Sequence, residues 1–372
     1  MTDYSVRLRA LVSEPSRDVA GDGARLARVA RTRDEMMAQG RAMSATLATQ
    51  AEAMERIGHQ LRARGIREVV VAGCGDSWHV GAGVAHAWQS CTGMPLHAVQ
   101  AHDYACYGAA VAHAQTLVVG ISSGGNTPAV MAAVRAARRR GAFTIGVSNT
   151  EGSPILTESD AALLVMASRK GWPTQSSTAT MALLIRLARH VAGDSGVARA
   201  IDAALDEIPS VVDALVPQVD AQMRAIATQW ASARWMMFAG VGPNHAAAAF
   251  GAAKIKELSP IHAVALQLEE YHHYRSQKAG DPLVMVATDP ASRERALDTA
   301  LVSASLGGRT VALLGDDVPD ITARVDHTVR LPAVRAELVA LVSSVALHVF
   351  AYHFAQARDA LGLGYPGAFA PA

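Results

Sequence analysis

Lysine is scarce in this sequence, and two of its four lysines, Lys254 and Lys256, stand close together in a chain that uses 30 arginines. A lysine ammonium is a compact cation that can point at a single oxygen, whereas either residue solvates a surface. Lys254 and Glu257 are three residues apart, so on a helix they share a face, and the lysine can hold the carboxylate ionised as a base. A solvated helix with an ordinary ion pair is the alternative interpretation.

A second polar cluster follows in the stretch EEYHHYRSQ, which contains Glu269, Glu270, His272, His273 and Arg275. Histidine titrates near neutral pH and is therefore suited to proton transfer, although a surface histidine pair without a catalytic role has the same sequence. The adjacent histidines lack the spacing of metal ligands with a third ligand in view, so we expect no metal site.

The stretch TLVVGISSGGNTP changes from strand-forming residues to a small polar loop and then to a helix. Backbone N–H groups at a helix N-terminus are unpaired and lie at the positive end of the helix dipole. A glycine-rich turn at that point can bind an anion, with hydroxyl donors from Ser122, Ser123 and Thr127 and a backbone that curls at Gly124 and Gly125. We therefore predict a phosphate site, and an ordinary turn capped by Thr127 is the alternative.

Two more polar clusters follow predicted strands. AGCGDS contains Gly75 and Ser77, and PTQSST contains Gln175, Ser176 and Ser177. In an open parallel sheet such loops meet at the carboxyl ends of the strands, so we expect these residues to line the same substrate crevice. No GK[ST] follows a glycine-rich loop and the GxGxxG pattern is incomplete, so we expect neither a nucleotide nor another cofactor.

The elements that position these residues form a repeated pattern. Short apolar runs alternate with long Ala/Leu/Val segments of helical period, which is typical of a parallel sheet between helices. At an offset of about 167 residues, REVVVAG is matched by ARWMMFAG, TLVVGIS by PLVMVAT, FTIGVSN by TVALLGD and AALLVMA by HTVRLPA. The sequence therefore predicts an α/β fold with two tandem, doubly wound units, each a three-layer αβα sandwich.

The expected organisation has four parts. N-terminal helices occupy residues 1–65, with a helical pair between Arg33 and Arg64, and the first α/β domain occupies residues 66–195. A helical linker over residues 196–232 leads to the second domain, over residues 233–372. Where the first unit has ISSGGNTP, the second has ATDPASRE, whose aspartate would repel an anion, so we expect only the first unit to bind phosphate.

Composition excludes several classes of protein. The chain is 50% hydrophobic and 18% charged with a formal net charge of +1, so it presents no basic field for nucleic acid. Its strand-like apolar runs are shorter than the roughly 20 residues that a bilayer requires, and the polar N-terminal stretch has no signal-peptide core. The three cysteines, Cys74, Cys91 and Cys106, lack metal spacing. We expect a cytoplasmic protein without membrane or nucleic-acid partners.

The duplicated unit, together with GCGDS, ISSGGNT and KIKELSPIHA…EEYHH, resembles the sugar isomerase (SIS) fold. The likeness is greatest to the double-SIS enzymes, which include the isomerase domain of glucosamine-6-phosphate synthase, fructosamine-phosphate deglycases and amino-sugar-phosphate deaminase/isomerases. It covers nearly the whole chain from about Asp34. In that family the Ser/Thr loop binds the sugar phosphate, so the resemblance implies this role for Ser122, Ser123 and Thr127, with Ser77 as their partner.

The resemblance also implies the catalytic residues. Glu257 corresponds to the base that moves a proton between C1 and C2, and Lys254 to the lysine one helical turn before it. His273, sixteen residues beyond Glu257, corresponds to the ring-opening histidine that enters from the neighbouring subunit. The resemblance therefore implies a homodimer with a shared active site.

The sequence departs from the family pattern at several points. Gly124 stands where many relatives have a third serine, Ser177 and Thr178 lack the lysine that often follows, and Lys170 stands where an acid is common. The tail GYPGAFAPA has no lysine for an imine, and no amidotransferase segment with an N-terminal cysteine is seen, so we expect no glutamine-dependent synthesis.

These observations favour an enzyme for a phosphorylated sugar. We expect an isomerase, deaminase or deglycase that acts by acid–base enolisation on an amino- or amine-conjugated hexose 6-phosphate. A non-catalytic phosphosugar sensor and a duplicated scaffold with a vestigial pocket are the alternatives. A sensor would not need both Glu257 and His273, and a scaffold would not keep the polar loop in one unit only.

Overall fold

The structure is a computed structural model, and it describes residues 23–259 and 261–363. Two five-stranded sheets, in which every pair of neighbouring strands is parallel, dominate it. The strands of the first sheet are β1 (Glu68–Gly73), β2 (Leu96–Gln100), β3 (Thr116–Ile121), β4 (Phe143–Ser148) and β5 (Ala161–Leu164). Those of the second are β6 (Trp235–Gly240), β7 (His262–Gln267), β8 (Pro282–Ala287), β9 (Arg309–Leu314) and β10 (His327–Arg330).

The strand orders show that the two halves share a topology. The first sheet has the order β2-β1-β3-β4-β5 and the second, read from the opposite side, β7-β6-β8-β9-β10. This confirms the predicted duplication and the α/β fold class. The four strand matches of the sequence are β1 with β6, β3 with β8, β4 with β9 and β5 with β10.

Helices connect the strands. In the first half they are α1 (Gly23–Met37), α2 (Gln39–Thr49), α3 (Ala51–Arg64), α4 (Asp76–Thr92), α5 (Ala101–Cys106), α6 (Pro128–Arg139), α7 (Pro154–Glu158) and α8 (Gln175–Ala192). The long helix α9 (Gly196–Trp230) leads to the second half. There they are α10 (Pro243–Leu258), α11 (Leu268–Tyr274), α12 (Arg293–Ser305), α13 (Pro319–Thr322) and α14 (Val339–Ala360). Short 3₁₀ turns occupy Gly108–Val111, Pro290–Ser292 and Ala336–Leu338.

Side-chain alternation along the central strands separates the layers. Val69 and Val71 of β1 belong to a large core that also contains residues of both sheets and of helices α4, α8, α9, α10 and α14. Val70 and Ala72 face the opposite way, into a smaller core under α5 and α6. The second sheet has its own outer core under α11 and α12. Because one continuous core lies between the two sheets, the halves pack as a single body.

Two strands were missed by the sequence analysis. β2 and β7 lie at the edges of their sheets, and only one residue of each is buried. Their sequences, LHAVQ and HAVALQ, therefore mix histidine and glutamine with apolar residues and lack the continuous apolar run of a central strand. In the described part of the N-terminal region, α2 and α3 lie between Arg33 and Arg64, where a pair of helices was expected, and α1 precedes them. Residues 1–22 lie outside the described part of the chain.

The helix α14 is the centre of the shared core. The segment Ala336–Ala360 is long and apolar enough to cross a bilayer by length and composition, and 94% of its most apolar window is buried inside the protein. Trp230 of α9 packs edge-on against Phe350, with ring centroids 6.1 Å apart. The apolar character of this helix is thus used in packing.

Candidate active site

The crevice of the first sheet lies at its topological switch point. β2 is on one side of β1 and β3 on the other, so the chain leaves β1 and β3 in opposite directions and a crevice forms at their carboxyl ends. Helices α4, α6 and α8 begin at this edge, at the N-cap residues Gly75, Thr127 and Thr174, each without a side-chain cap from the described residues. Their first-turn N–H groups and dipoles favour an anion.

Ser122 organises the loop between β3 and α6. Its side chain is 2% exposed, and its Oγ accepts hydrogen bonds from the backbone N–H of Gly125 (3.1 Å) and Thr127 (3.3 Å). It also lies 2.8 Å from Oγ1 of Thr127. Gly125 has a φ of 76°, and a Cβ there would lie 2.1 Å from Oγ of Ser153, so only glycine fits. The structure thus gives Ser122 an internal role in shaping the loop.

Ser123 joins this loop to the start of α8. Its Oγ lies 3.2 Å from Oγ of Ser176, which donates to Oδ1 of Asn149 at 2.8 Å. The Nδ2 of Asn149 donates in turn to the carbonyls of Val165 and Ala167. Asn149, which the sequence analysis missed, therefore connects the loop after β4 with the loop after β5.

The neighbouring serine leads to the proton-transfer groups. Ser177 donates to Oδ2 of Asp76 over 3.4 Å, and the same oxygen lies 2.5 Å from Nζ of Lys254. The Lys254 ammonium, whose side chain is 0% exposed, also bonds to Oε2 of Glu257. The ion cluster of Asp76, Lys254 and Glu257 thus joins the first turn of α4 to the last turns of α10, and so the first half to the second.

Burial and charge determine how this ion cluster titrates. Burial disfavours the Lys254 ammonium, but the two carboxylates outweigh that effect and its pKa is raised. Burial raises the pKa of Glu257 to about 7, with Asp76 acting in the same direction and Lys254 and Arg28 against it. The sequence predicted that Lys254 keeps Glu257 ionised; the attraction is present, but burial is the larger effect. A pKa near 7 suits a general base at neutral pH.

A polar floor lies beneath Lys254. Nδ1 of His348 lies 3.2 Å from Oε1 of Gln39, which also accepts from Thr178 over 3.1 Å. Burial, reinforced by the Lys254 charge, lowers the pKa of His348 well below its usual range. The imidazole is therefore neutral and adds no further cation below the ammonium.

Within one chain, His273 lies away from Glu257. Glu257 is near the end of α10, before β7, whereas His273 is near the end of α11, after β7. The His273 side chain is 65% exposed and its Nε2 lies 3.7 Å from Glu269.

The other predicted site residues lie at the same edge of the first sheet with different roles. Gly75 is the exposed N-cap of α4 with a φ of 55°. The half-buried Ser77 hydroxyl forms no hydrogen bond within residues 23–259 and 261–363. Gln175 is buried and lines a groove of about 500 Å³ with Asn149, Ser168 and residues of α2. The tail residues 364–372 lie outside the described part of the chain.

A family model described as the SIS domain matches residues 64–188 and again residues 230–358. The chain belongs to the SIS family. A glutamine–fructose-6-phosphate aminotransferase (isomerizing) of Streptomyces coelicolor is 30% identical over 312 residues, which cover 79% of this chain and 50% of that protein. This SIS chain therefore spans about half the length of the curated relatives that it matches.

Solved structures share the double-SIS fold. A glucosamine-6-phosphate deaminase from Thermotoga maritima has a TM-score of 0.65 at 19% identity and covers 90% of this chain and 96% of its own. A tagatose-6-phosphate ketose/aldose isomerase from Escherichia coli has a TM-score of 0.72 at 18% identity and covers 92% and 95%. Identities this low show the shared fold, and the resemblance noted in the sequence is confirmed at that level.

The second SIS unit fills its own switch point with protein groups. Nδ2 of Asn244, in the first turn of α10, donates to Oδ2 of the buried Asp289. The other oxygen of Asp289 accepts the backbone N–H of Ser292 at 3.1 Å. Oδ1 of Asn244 accepts from the Thr288 hydroxyl at 2.8 Å. An internal carboxylate thus occupies the position that, in the first unit, we expect an anionic ligand to take.

The sequence analysis quoted GCGDS but passed over Asp76. The motif signal was an acid in the first turn of a helix, next to Ser77, which usually indicates only a favourable interaction with the helix dipole. Its contact with Lys254 depends on how the two units pack, and no local pattern in the sequence records that packing.

Asp76→Asn is expected to lower the pKa of Glu257, because it removes a nearby negative charge and leaves Lys254 to Glu257 alone. A shift on the order of one unit is expected. Carboxyl-labelled glutamate followed by NMR during a pH titration measures it, and the spectrum of Glu257→Gln assigns the resonance. An unchanged Glu257 titration would contradict the coupling.

The raised pKa of Glu257 also makes the stability of the fold depend on pH. The folded pKa of Glu257, about 7, exceeds its ordinary 4.5, so its ionisation destabilises the fold as the pH rises through that window. Wild type should therefore lose stability relative to Glu257→Gln between these pH values, by at most about 3 kcal/mol. Denaturant unfolding at several pH values measures the difference.

Proposed function

We propose that this SIS protein is an acid–base enzyme that acts on an amino- or amine-conjugated hexose 6-phosphate. The observation that carries the proposal is the buried Lys254 between Asp76 and Glu257, beside a crevice where three helix N-termini lie. The named relatives act on fructose 6-phosphate, glucosamine 6-phosphate or tagatose 6-phosphate according to their descriptions, which supports a hexose 6-phosphate. The three free cysteines suit a reducing, cytoplasmic location.

The phosphate is proposed to bind at the loop between β3 and α6. A phosphate monoester offers three acceptor oxygens, and Ser123 and Thr127 together with the first-turn N–H groups of α6 are donors. Ser122 keeps the loop in shape from below. Ser77, whose hydroxyl lacks a partner within the described residues, is the donor proposed from the loop after β1.

Glu257 is proposed as the proton-transfer base. Its carboxylate takes the proton from the carbon next to the carbonyl, the C–H electron pair forms the enol C=C bond, and the carbonyl oxygen receives a proton. Glu257 then returns its proton to the former carbonyl carbon, while the hydroxyl or amino group on the carbon that was deprotonated gives up a proton and forms the new double bond, so the protons balance. Lys254 holds Glu257 in position and stabilises its ionised form.

The same enolisation leads to each of the reactions considered. If the substrate has two oxygen functions, the product is the isomeric sugar phosphate. If a nitrogen is attached at the reacting carbon, the shift produces a C=N bond, which water hydrolyses to a C=O bond and a free amine. A deaminase releases ammonia from an amino-sugar phosphate and a deglycase releases the amine of a conjugate, and the two also differ in which carbon carries the nitrogen. Turnover of amino-sugar and amine-conjugated hexose 6-phosphates is therefore the direct test.

His273 is proposed to act in the site of a partner subunit. In its own chain it lies near the end of α11, after β7, whereas Glu257 lies near the end of α10, before β7. It stands on the exposed tip of α11, next to Tyr274, which is 74% exposed. In a two-fold symmetric dimer one such tip completes each site reciprocally.

Ser122→Ala combined with Thr127→Ala should weaken binding of a hexose 6-phosphate and leave binding of the unphosphorylated hexose nearly unchanged. Loss of the charge-assisted bond from Thr127 should cost roughly 1.5–3 kcal/mol, and loss of the Ser122 hydroxyl should weaken phosphate binding further because it releases the N–H groups of Gly125 and Thr127 that hold the loop in shape. Calorimetric titration with both sugars measures the two effects. Equal weakening of both would exclude the loop as the phosphate site.

Glu257→Gln should keep substrate binding and lose turnover, since an amide accepts hydrogen bonds but cannot take a proton. The loss should appear in kcat, on the order of 10²-fold or more. Steady-state kinetics with Glu270→Gln as the control separates the two carboxylates. If Glu257→Gln keeps activity within a few-fold of wild type, another group is the base. If wild type itself binds the hexose 6-phosphates but converts none of them, the protein is a sensor.

Mixed preparations of Glu257→Gln and His273→Ala should regain activity after subunit exchange. Half of randomly formed dimers are heterodimers, and each has one site with both groups intact, so about a quarter of the wild-type activity is expected. Mass spectrometry checks the exchange, and His272→Ala in place of His273→Ala is the matched control. Activity that stays at the parental level despite exchange would show that His273 does not act across the dimer.

A further inference from the structure

Gly124 differs from its neighbour Gly125 in backbone conformation and in the space available for a side chain. Gly125 has a positive φ and no room for a side chain, whereas Gly124 is not among the described glycines with a positive φ. A Cβ on Gly124 would lie 3.4 Å from Nη1 and 3.7 Å from Nη2 of Arg169. These are ordinary van der Waals distances, so the guanidinium of Arg169 lies beside the loop at Gly124.

Arg169 lies there without a protein acceptor. It forms no ion pair or hydrogen bond with any residue in the described part of the chain. The neighbouring carboxylate, Glu35, accepts instead from Ser168 Oγ and from the backbone N–H of Lys170, each at 2.7 Å. Arg169 is exposed to solvent, and residues 122–127 of the loop contain no carboxylate that could pair with it. A bound anion would therefore supply the ion-pair partner that the loop itself lacks.

The loop that carries Arg169 is fixed on both sides. Besides the two bonds to Glu35, the backbone N–H of Trp172 donates to Thr32 of α1 at 2.8 Å, and the Arg28 guanidinium stacks 3.5 Å from the Trp172 ring centroid. On the other side, Asn149 donates to the Ala167 carbonyl at 3.1 Å. The backbone on either side of Arg169 is thus held next to the phosphate loop, which reduces the entropy lost when the side chain binds.

The charge of the expected ligand makes a cation useful here. A phosphate monoester carries about −1.5 to −2 at pH 7, and residues 122–127 of the loop contain no charged side chain. Lys254 is already engaged by two carboxylates. The guanidinium fork can form two parallel hydrogen bonds to phosphate oxygens, which a serine hydroxyl cannot.

We infer that Arg169, whose guanidinium lies beside Gly124 of the proposed phosphate loop, is a phosphate-binding residue. It binds the phosphate monoester of the substrate with both terminal nitrogens and takes the place of a hydroxyl donor on the loop. This inference rests on the proposed function of the loop as the phosphate site. It places a specificity-determining cation in the segment between β5 and α8, opposite the serines between β3 and α6.

The test compares variants of two adjacent cations in the same loop. Arg169→Gln removes the charge and the fork, Arg169→Lys keeps the charge, and Lys170→Gln removes an exposed charge while keeping the backbone bond to Glu35. Binding of inorganic phosphate, glucosamine 6-phosphate and glucosamine to the full chain is measured by calorimetry. Thermal unfolding of each variant checks that the fold is unchanged.

Arg169→Gln is expected to weaken both phosphate ligands by roughly 10- to 100-fold and to leave glucosamine binding unchanged. Lys170→Gln should change all affinities by less than about threefold, and Arg169→Lys should fall between the two.

Two results would overturn the inference in distinguishable ways. If wild type binds the phosphate ligands and Arg169→Gln weakens them no more than Lys170→Gln does, the phosphate site stands and Arg169 is not part of it. If wild type binds glucosamine 6-phosphate no more tightly than glucosamine and does not bind inorganic phosphate, both the proposed phosphate site and the role of Arg169 are wrong.

Discussion

The buried ammonium of Lys254 is the constraint on which the arrangement of the site depends. A charged group with no exposed surface is stable only when opposite charges and hydrogen bonds replace its hydration. One of its carboxylates, Asp76, belongs to the first SIS unit, and the other, Glu257, is on its own helix. The first turn of α4 and the last turns of α10 must therefore meet, which orients the two units toward each other and places Glu257, the proposed base, beside the proposed phosphate crevice.

The duplication supplies two switch points, and the chain uses them differently. In the first unit the helix N-termini lack side-chain caps from the described residues and the loop has hydroxyls. In the second, Asp289 provides a carboxylate that binds Asn244 and the backbone of Ser292. An external anion in the first unit and the Asp289 carboxylate in the second would each interact with the unpaired N–H groups and the positive dipole at the start of a helix. Divergence of the two loops thus converted a symmetric fold into one with a single expected anion site, while the second unit contributes the base.

The sequence predicted the central strands, the duplication and the Lys254–Glu257 contact because each is recorded locally, in apolar runs or in helical spacing. It missed β2 and β7, since edge strands are half-exposed and tolerate residues such as His97 and His262. It missed Asp76 and Arg169 for another reason. Their neighbours, Lys254 and Gly124, are distant in sequence, and only tertiary packing brings them together.

Dividing the site between units also sets the size of ligand that fits. The phosphate loop belongs to the first sheet and Glu257 to the second unit, and one continuous core packs the two sheets together. The separation between the phosphate site and the base is therefore determined by core packing, which is far stiffer than a loop. A proton-transfer base must lie within hydrogen-bond reach of the reacting carbon. Under the proposed function, a ligand held by its phosphate reaches Glu257 only if its carbon chain has the matching length, so the packing of the two SIS units would select the length of the sugar.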